Sequence, residues 1–305
     1  MERVAIGLDI GGTKVAAGVI ASSGEVLERC ELKSDPTDAE KMFTQVVKAV
    51  DGVLEKSSIG MDKIEGIGVG VPGKVDRENG IAVFQNNLPW EQFPVTARLS
   101  EVYGTGHMTI DNDVYMAAYA EWKASKVDPG ETFVYITIST GISCSIIHKG
   151  EFFRGAGFAG EIGLMPVLSK LIGNKNERLE KLSSGPAIQS LAASALNFEG
   201  ETAAGIFQGY LEGEHQYQPI INDMTETLAQ AVYAINCLLD PHCIVFGGSV
   251  ITHNPFLLNL VKKNLARHLI PEQRHILGQM SISRLGSNNG IVGAGLRMFE
   301  HQAVR

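Results

Sequence analysis

Three short stretches of the chain combine residue types and spacings that could do chemistry. The first is Asp9-Ile10-Gly11-Gly12-Thr13-Lys14, where two adjacent glycines between β-like runs let backbone N–H groups converge on an anion with no Cβ in the way. A carboxylate beside such a nest makes sense when a cation is also there, and Asp9 holding Mg²⁺ through water would supply that reason. The plainer alternative is a tight hairpin whose Asp caps its own turn. The second stretch, Ser139-Thr140-Gly141, falls at the equivalent point of the second half of the chain. Two such turns facing across a cleft could hold phosphates from both sides. The third is Asp111-Asn112-Asp113, which ends a strand-like run and opens a helical one. An Asp placed there either caps the helix, worth about 1 kcal/mol, or accepts a proton from a substrate hydroxyl while Asn112 hydrogen-bonds a neighbouring one.

Two further phosphate motifs fail on context. Gly68-Val69-Gly70-Val71-Pro72-Gly73 spells GxGxxG after a strand, but the polar Lys74–Gly80 that follows has no helical period to receive a dinucleotide. The overlapping GxxxxGK of Gly68–Lys74 is followed by Val75, so the hydroxyl that would bind magnesium in a P-loop is missing.

The elements that must position these stretches read as mixed α/β. Val4–Leu8, Val15–Ile20 and Glu25–Leu32 alternate as strands, Lys41–Glu55 has helical spacing, Ile64–Val71 and Met108–Ile110 are strands, and Asp113–Lys123 is a helix. The same order begins again with strands at Phe133–Ile138, Ile142–Ile147 and Phe152–Phe153. Helices at Ile188–Leu196 and Met224–Leu239, a strand at Cys243–Phe246 closing on Gly247-Gly248, and a helix at Phe256–His268 follow. The pattern is an internal duplication of a strand-strand-strand-helix-strand-helix unit, and it predicts two like domains facing a cleft.

Composition narrows the function classes. The 305 residues, 44% hydrophobic and 20% charged, suit two soluble domains. With 34 acidic and 26 basic side chains the net charge of −8 repels nucleic acid and anionic lipid, so neither is an expected partner. Cys30, Cys144, Cys237 and Cys243 are scattered without a CxxC pair, which suggests neither a disulfide scaffold nor a cysteine-rich zinc module and fits a reducing cytoplasm. No apolar run approaches the ~20 residues of a membrane helix, and the N-terminal residues do not read as a signal peptide.

Asp9–Lys14, Asn87-Leu88-Pro89-Trp90, Asn112-Asp113, Ser139-Thr140-Gly141, Ala159-Gly160-Glu161-Ile162-Gly163, Ser184-Gly185-Pro186-Ala187-Ile188 and Asp240-Pro241 to Gly247-Gly248 occur in one order. In that order the chain resembles the ROK sugar kinases over nearly its whole length. The resemblance implies an actin-like, hexokinase-like (ribonuclease H-like) two-domain fold, commonly as a homodimer, and ATP-dependent phosphorylation of a hexose or N-acylhexosamine hydroxyl. It implies a last helix, from about Gly290, that returns to the N-terminal domain, so that residues 1–122 with about 290–305 form one domain and 123–289 the other. Carried over by position, Asp113 is the catalytic base, and Gly73, Asn87, Asn112, Asp113, Glu161 and Glu180 contact the sugar. Gly11, Gly12, Thr13, Lys14, Thr140 and Gly141 take the ATP phosphates, Asp9 takes Mg²⁺, and Gly247 and Gly248 offer bare backbone to the nucleoside.

The chain departs from the family at two places. Leu164, Leu171, Gly173 and Arg178 stand where relatives carry the His and three Cys of a structural zinc site, so no zinc is expected. In its place Leu164, Met165, Val167, Leu168, Leu171, Ile172, Leu179 and Leu182 are expected to pack as an apolar substitute. Ser143-Cys144-Ser145 replaces a run of glycines, either crowding the cleft or serving as ordinary strand residues. The sugar is expected to be glucose, with N-acetylmannosamine, allose, fructose or a β-glucoside as alternatives. A reading from another class is a catalytically weak sugar-sensing regulator without a DNA-binding domain.

Overall fold

The structure, a computed structural model, describes residues 2–85, 87–125, 127–196 and 200–300. The chain divides into two units, Met1–Ser125 with Ser287–Arg305, and Lys126–Gly286.

In the first unit β1 (Val4–Ile10), β2 (Lys14–Ala21) and β3 (Val26–Lys33) form an antiparallel meander. Helix α1 (Ala39–Ser57) crosses to β4 (Ile64–Val71), which pairs parallel with β1. Asp38 starts α1, its Oδ1 accepting from the amides of Glu40 (2.9 Å) and Lys41 (3.1 Å). Met42, Phe43, Val46, Ala49, Val50 and Val53 recur at three- and four-residue spacing and are the buried stripe that the helix lays on the sheet. A small antiparallel sheet follows, β5 (Lys74–Asp76), β6 (Ile81–Phe84) and β7 (Glu91–Phe93), and then α2 (Val95–Tyr103). Its first turn is made by Asp76, which accepts from the amide (3.1 Å) and side chain (2.8 Å) of Asn79. Strand β8 (Met108–Asn112) joins β4 in parallel, completing a sheet of order β3-β2-β1-β4-β8, and runs into α3 (Asp113–Ser125).

The second unit repeats that order. Strands β9 (Thr132–Ile138), β10 (Ile142–His148) and β11 (Glu151–Phe152) form the meander. A hairpin of β12 (Pro166–Ser169) and β13 (Lys175–Arg178), not foreseen from the sequence, leads to α4 (Glu180–Ser183), α5 (Gly185–Leu196), α6 (Ala203–Leu211) and α7 (Gln218–Leu239). Then come β14 (Cys243–Gly247), α8 (Ser249–His253), α9 (Phe256–Leu265), α10 (Ile276–Gln279) and β15 (Met280–Ile282). The sheet order is β11-β10-β9-β14-β15, antiparallel through the meander and parallel from β9 to β15, as in the first unit.

Helix α11 (Asn289–Glu300) belongs to the first unit and packs on β1, β4 and α3. The first glycine of the discarded dinucleotide motif is explained here. A Cβ on Gly68 would lie 1.9 Å from the carbonyl oxygen of Ala294, so a bare strand is what lets α11 approach β4. Among the described residues no helix is long and apolar enough to cross a membrane.

Candidate active site

The first glycine turn lies between β1 and β2, and its hydrogen bonds decide which amides it can offer. Gly11 N donates to Lys14 O (2.9 Å), closing the turn, while Ser34 donates its hydroxyl to Gly11 O (2.6 Å) and its amide to Thr13 O (3.0 Å). Gly11 therefore spends its amide on the turn itself, which narrows the nest expected from the sequence. Because a trans peptide is planar with C=O and N–H opposed, fixing Gly11 O on Ser34 turns the Gly12 N–H the other way. Lys14 does not project alone: its Nζ lies 3.0 Å from Glu31 Oε2, and Arg29 also donates to that carboxylate. An exposed pair of this kind is worth about 0–1 kcal/mol and yields readily to a stronger anion.

Asp9 stands at the end of β1, opposite Gly70 of β4. Burial pushes its carboxyl above the ordinary range, Lys14 and Arg29 pull it back, and Glu31 pushes it further up. A Cβ on Gly290 would fall 2.6 Å from Asp9 Cγ, so the start of α11 runs close against the carboxylate. A half-buried carboxylate with incomplete charge compensation fits a cation. Among the described residues no group of three or more His, Cys, Asp and Glu gathers as a metal cage.

The expected sugar residues of the first unit lie close to this turn and to one another. A Cβ on Gly12 would sit 2.8 Å from both Cβ and O of Asn87, so the loop carrying Asn87 rests on the phosphate turn. That loop is anchored by Trp90, which stacks on Phe93 (centroids 4.7 Å apart) and donates Nε1 to Ala39 O (3.2 Å). Gly73, at φ +76°, accepts at its carbonyl from Asn112 Nδ2 (3.0 Å). Asn112 Oδ1 accepts from Val114 N (2.9 Å), which makes Asn112 the residue that caps α3. Asp113, the first residue of the helix, also accepts from Val114 N at its Oδ1 (2.9 Å).

In the second unit Thr140 and Gly141 form the link from β9 to β10, with Ser139 N bonded to Gly141 O (2.9 Å). Glu180 Oε2 accepts from Ile142 N (2.8 Å) and fills the space that a Cβ on Gly141 would need, 2.6 Å away. One oxygen of this expected sugar ligand is therefore committed to the glycine turn. Glu161 lies near it: burial first, then the charge of Glu180, push its carboxyl up, and a hydrogen bond from Ser143 pulls it down. Ser143, one of the unusual residues, donates its hydroxyl to Gly160 O (3.3 Å), next to Glu161, whereas Cys144 and Ser145 are buried residues of β10.

Two expectations need correction. Leu164 (50% exposed) and Leu168 (43%) face solvent and do not join the apolar substitute; Val167, Leu179 and Leu182 are buried in the second unit's core, with Met165, Leu171 and Ile172 packed against it. Alternation along β12 puts Leu168 on the face opposite Val167. The reason given for bare backbone at Gly247 and Gly248 also changes. A Cβ on Gly247 would meet the Tyr135 hydroxyl at 2.1 Å and one on Gly248 would meet Ile138 O at 2.4 Å, so the protein's own packing demands these glycines. Arg29 and Ser34 escaped the sequence reading. Both come from the far strand of the meander and its end; Arg29 stands opposite Gly18, and it bears on the turn through its side chain, which donates to Glu31 and acts by charge on Asp9.

The repeated sheet order and the turns at matching strand ends define an actin-like two-domain α/β protein of the sugar-kinase class. The ROK family model matches residues 5–299, and the chain belongs to the ROK family. It is 26% identical over 314 residues to a glucokinase of Halalkalibacterium halodurans, covering 96% of this chain and 94% of that protein. It is 28% identical over 296 residues to an N-acetylmannosamine kinase of Escherichia coli, covering 95% and 97%. The crystal structure of a ROK family glucokinase from Streptomyces griseus in complex with glucose and AMPPNP superposes with a TM-score of 0.78 at 26% identity, covering 95% of this chain and 97% of that one. The protein is an ATP-dependent sugar kinase.

Proposed function

We propose that the protein transfers the γ-phosphoryl group of Mg-ATP to a hydroxyl of a hexose or N-acylhexosamine, glucose first among them, with Asp113 as general base. The supporting observation is the sharing of the cap at the start of α3. Asn112 Oδ1 and Asp113 Oδ1 share the Val114 amide, so the cap does not depend on the carboxylate alone. Asn112 is held by Gly73 O and Val114 N, yet its amide keeps a second hydrogen and a second lone pair for neighbouring hydroxyls.

Phosphoryl transfer proceeds through a loose transition state, in which alignment and charge compensation matter more than base strength. Asp113 then only has to take the hydroxyl proton late. In the first unit, Gly12 and Thr13 supply backbone donors and Lys14 a mobile cation for the phosphates, with Asp9 holding Mg²⁺ through water. When bound, that ion would neutralise phosphate charge. In the second unit, Thr140 and Gly141 meet phosphate, Gly247 and Gly248 the nucleoside, and Glu161 and Glu180 accept from sugar hydroxyls. The Leu164–Arg178 segment is proposed to hold its shape without zinc, and stoichiometric zinc in the purified protein would overturn that.

The test is ADP release with Mg-ATP across glucose, mannose, allose, fructose, N-acetylmannosamine, N-acetylglucosamine and a β-glucoside. Turnover highest on glucose is expected. A higher kcat/KM on another sugar of the panel reassigns the substrate, and no turnover on any of them, despite sugar-induced thermal stabilisation, would favour a sensor.

A further inference from the structure

Between Glu161 and Glu180 the chain runs out along β12 and back along β13, and Leu179 N closes the base of the hairpin on Met165 O (2.9 Å). A two-stranded ribbon is marginal by itself. What fixes this one is a polar stripe on α7. Asp223, only 6% exposed, accepts from Ser169 Oγ (2.5 Å), Lys170 N (2.8 Å) and Leu171 N (3.1 Å). Gln230 brackets Leu168, accepting its amide and donating to its carbonyl, both at 2.9 Å. Between them Thr227 Oγ1 lies 2.8 Å from the hydroxyl of Ser183, in the short helix that Glu180 opens.

Asp223, Thr227 and Gln230 stand at positions i, i+4 and i+7, which is one face of an α-helix. That face holds the outgoing strand, the turn and the helix behind Glu180. A buried carboxylate is costly where an apolar residue would pack, and it is tolerated when both its oxygens are hydrogen-bonded, as they are here. Such a network specifies one arrangement of the segment it binds. The segment ends in Glu161 on one side and in Glu180 on the other, the latter bonded to Ile142 N next to Gly141.

We infer that the Asp223–Thr227–Gln230 stripe is a positioning frame that sets the Glu161 and Glu180 carboxylates, and through them the affinity for the sugar. The inference rests on the reading that these two carboxylates meet the sugar. The frame's residues act through others, and because Glu180 also holds Ile142 N beside Gly141, the effect on the sugar should exceed a smaller one on ATP.

The experiment combines steady-state kinetics with amide hydrogen exchange on the full chain carrying Asp223→Asn, and separately Gln230→Ala. For Asp223→Asn, the KM for the preferred sugar should rise on the order of ten-fold, with a clearly smaller rise in the KM for ATP. Exchange should quicken both at residues 169–172 and at Ile142, whose amide Glu180 holds. Gln230→Ala removes a more peripheral contact and should show the same pattern more weakly; it carries the test should Asp223→Asn fail to fold. Unchanged sugar KM, with faster exchange confined to residues 169–172, would overturn the frame, as would equal rises in both KM values. A wild-type protein that phosphorylates no sugar would sink the functional reading instead, and exchange at Ile142 would still report whether the frame reaches Glu180.

Discussion

At the scale of single residues the site sorts its carboxylates by neighbour. Asn112 capping α3 leaves Asp113 as the first helical residue, where the unpaired amides of the first turn favour negative charge. Asp113→Asn keeps the shape and removes the base, so kcat should fall by about 10²–10⁴ with sugar KM nearly unchanged, measured by ADP release. A mutant with full kcat would remove Asp113 from the chemistry. Glu161 behaves differently. Burial and the charge of Glu180 push its carboxyl up, so the folded chain keeps a proton that the unfolded chain has already lost. Folding stability from this group is therefore present below the ordinary carboxylate range and is lost as the pH rises through the raised value. Sugar affinity runs the opposite way, because hydroxyls donate more strongly to the ionised form. Sugar KM should rise as the pH is lowered from neutrality into that range, and Glu161→Gln should flatten the profile. An unaltered profile in the variant would assign the titration to another group. The Asp9–Lys14 turn and the Asn112-Asp113 pair were visible in sequence, but each also fitted a plain hairpin or helix cap, and the resemblance to the ROK sugar kinases chose between the readings. Arg29 was not, since a charged residue on an outer strand looks like any solvated one.

At the scale of elements, length decided what could be read. Helix α1 announces itself by its buried stripe and β4 by its apolar run, but the strands of three or four residues in β5–β7 and β12–β13 have too few residues to show a period. They are set instead by turn residues such as Gly173 (φ +83°) and Asn174 (φ +56°). Helix α7 begins at Gln218, ahead of the Met224 expected, because Pro219 reads as a breaker although the first turn of a helix needs no amide there. The glycines of β4 were visible but their purpose was not, because it depends on a helix over two hundred residues away in the chain. Gly68→Ala would drive a Cβ into the backbone of Ala294, and either α11 or β4 must shift. Overpacking of this kind costs about 3 kcal/mol, seen as a lower urea midpoint. An unchanged midpoint would show that α11 is free to move off the strand.

At the scale of the whole molecule the two sheets share one order and one pattern of strand sense, yet the chain does not divide cleanly at its middle. The last helix goes back to the first unit. Ile291, Val292, Ala294 and Met298 of α11 are 0–5% exposed, and burying side chains of this size contributes about 1.5–3 kcal/mol each for the larger ones. That is a large fraction of the ~5–15 kcal/mol by which a folded domain is stable. The first unit is therefore completed only when the last residues are present, whereas every strand and helix of the second lies within residues 126–286. Ending the chain after Gly286 should uncover β1, β4 and α3 together. Amide exchange resolved by peptide should then show protection lost across residues 4–125 and retained in β9, β10, β14 and α7. Protection kept in β1 and β4 would mean that the meander and α1 hold the first sheet without α11. Protection lost equally from both units would mean that the second depends on the first to fold.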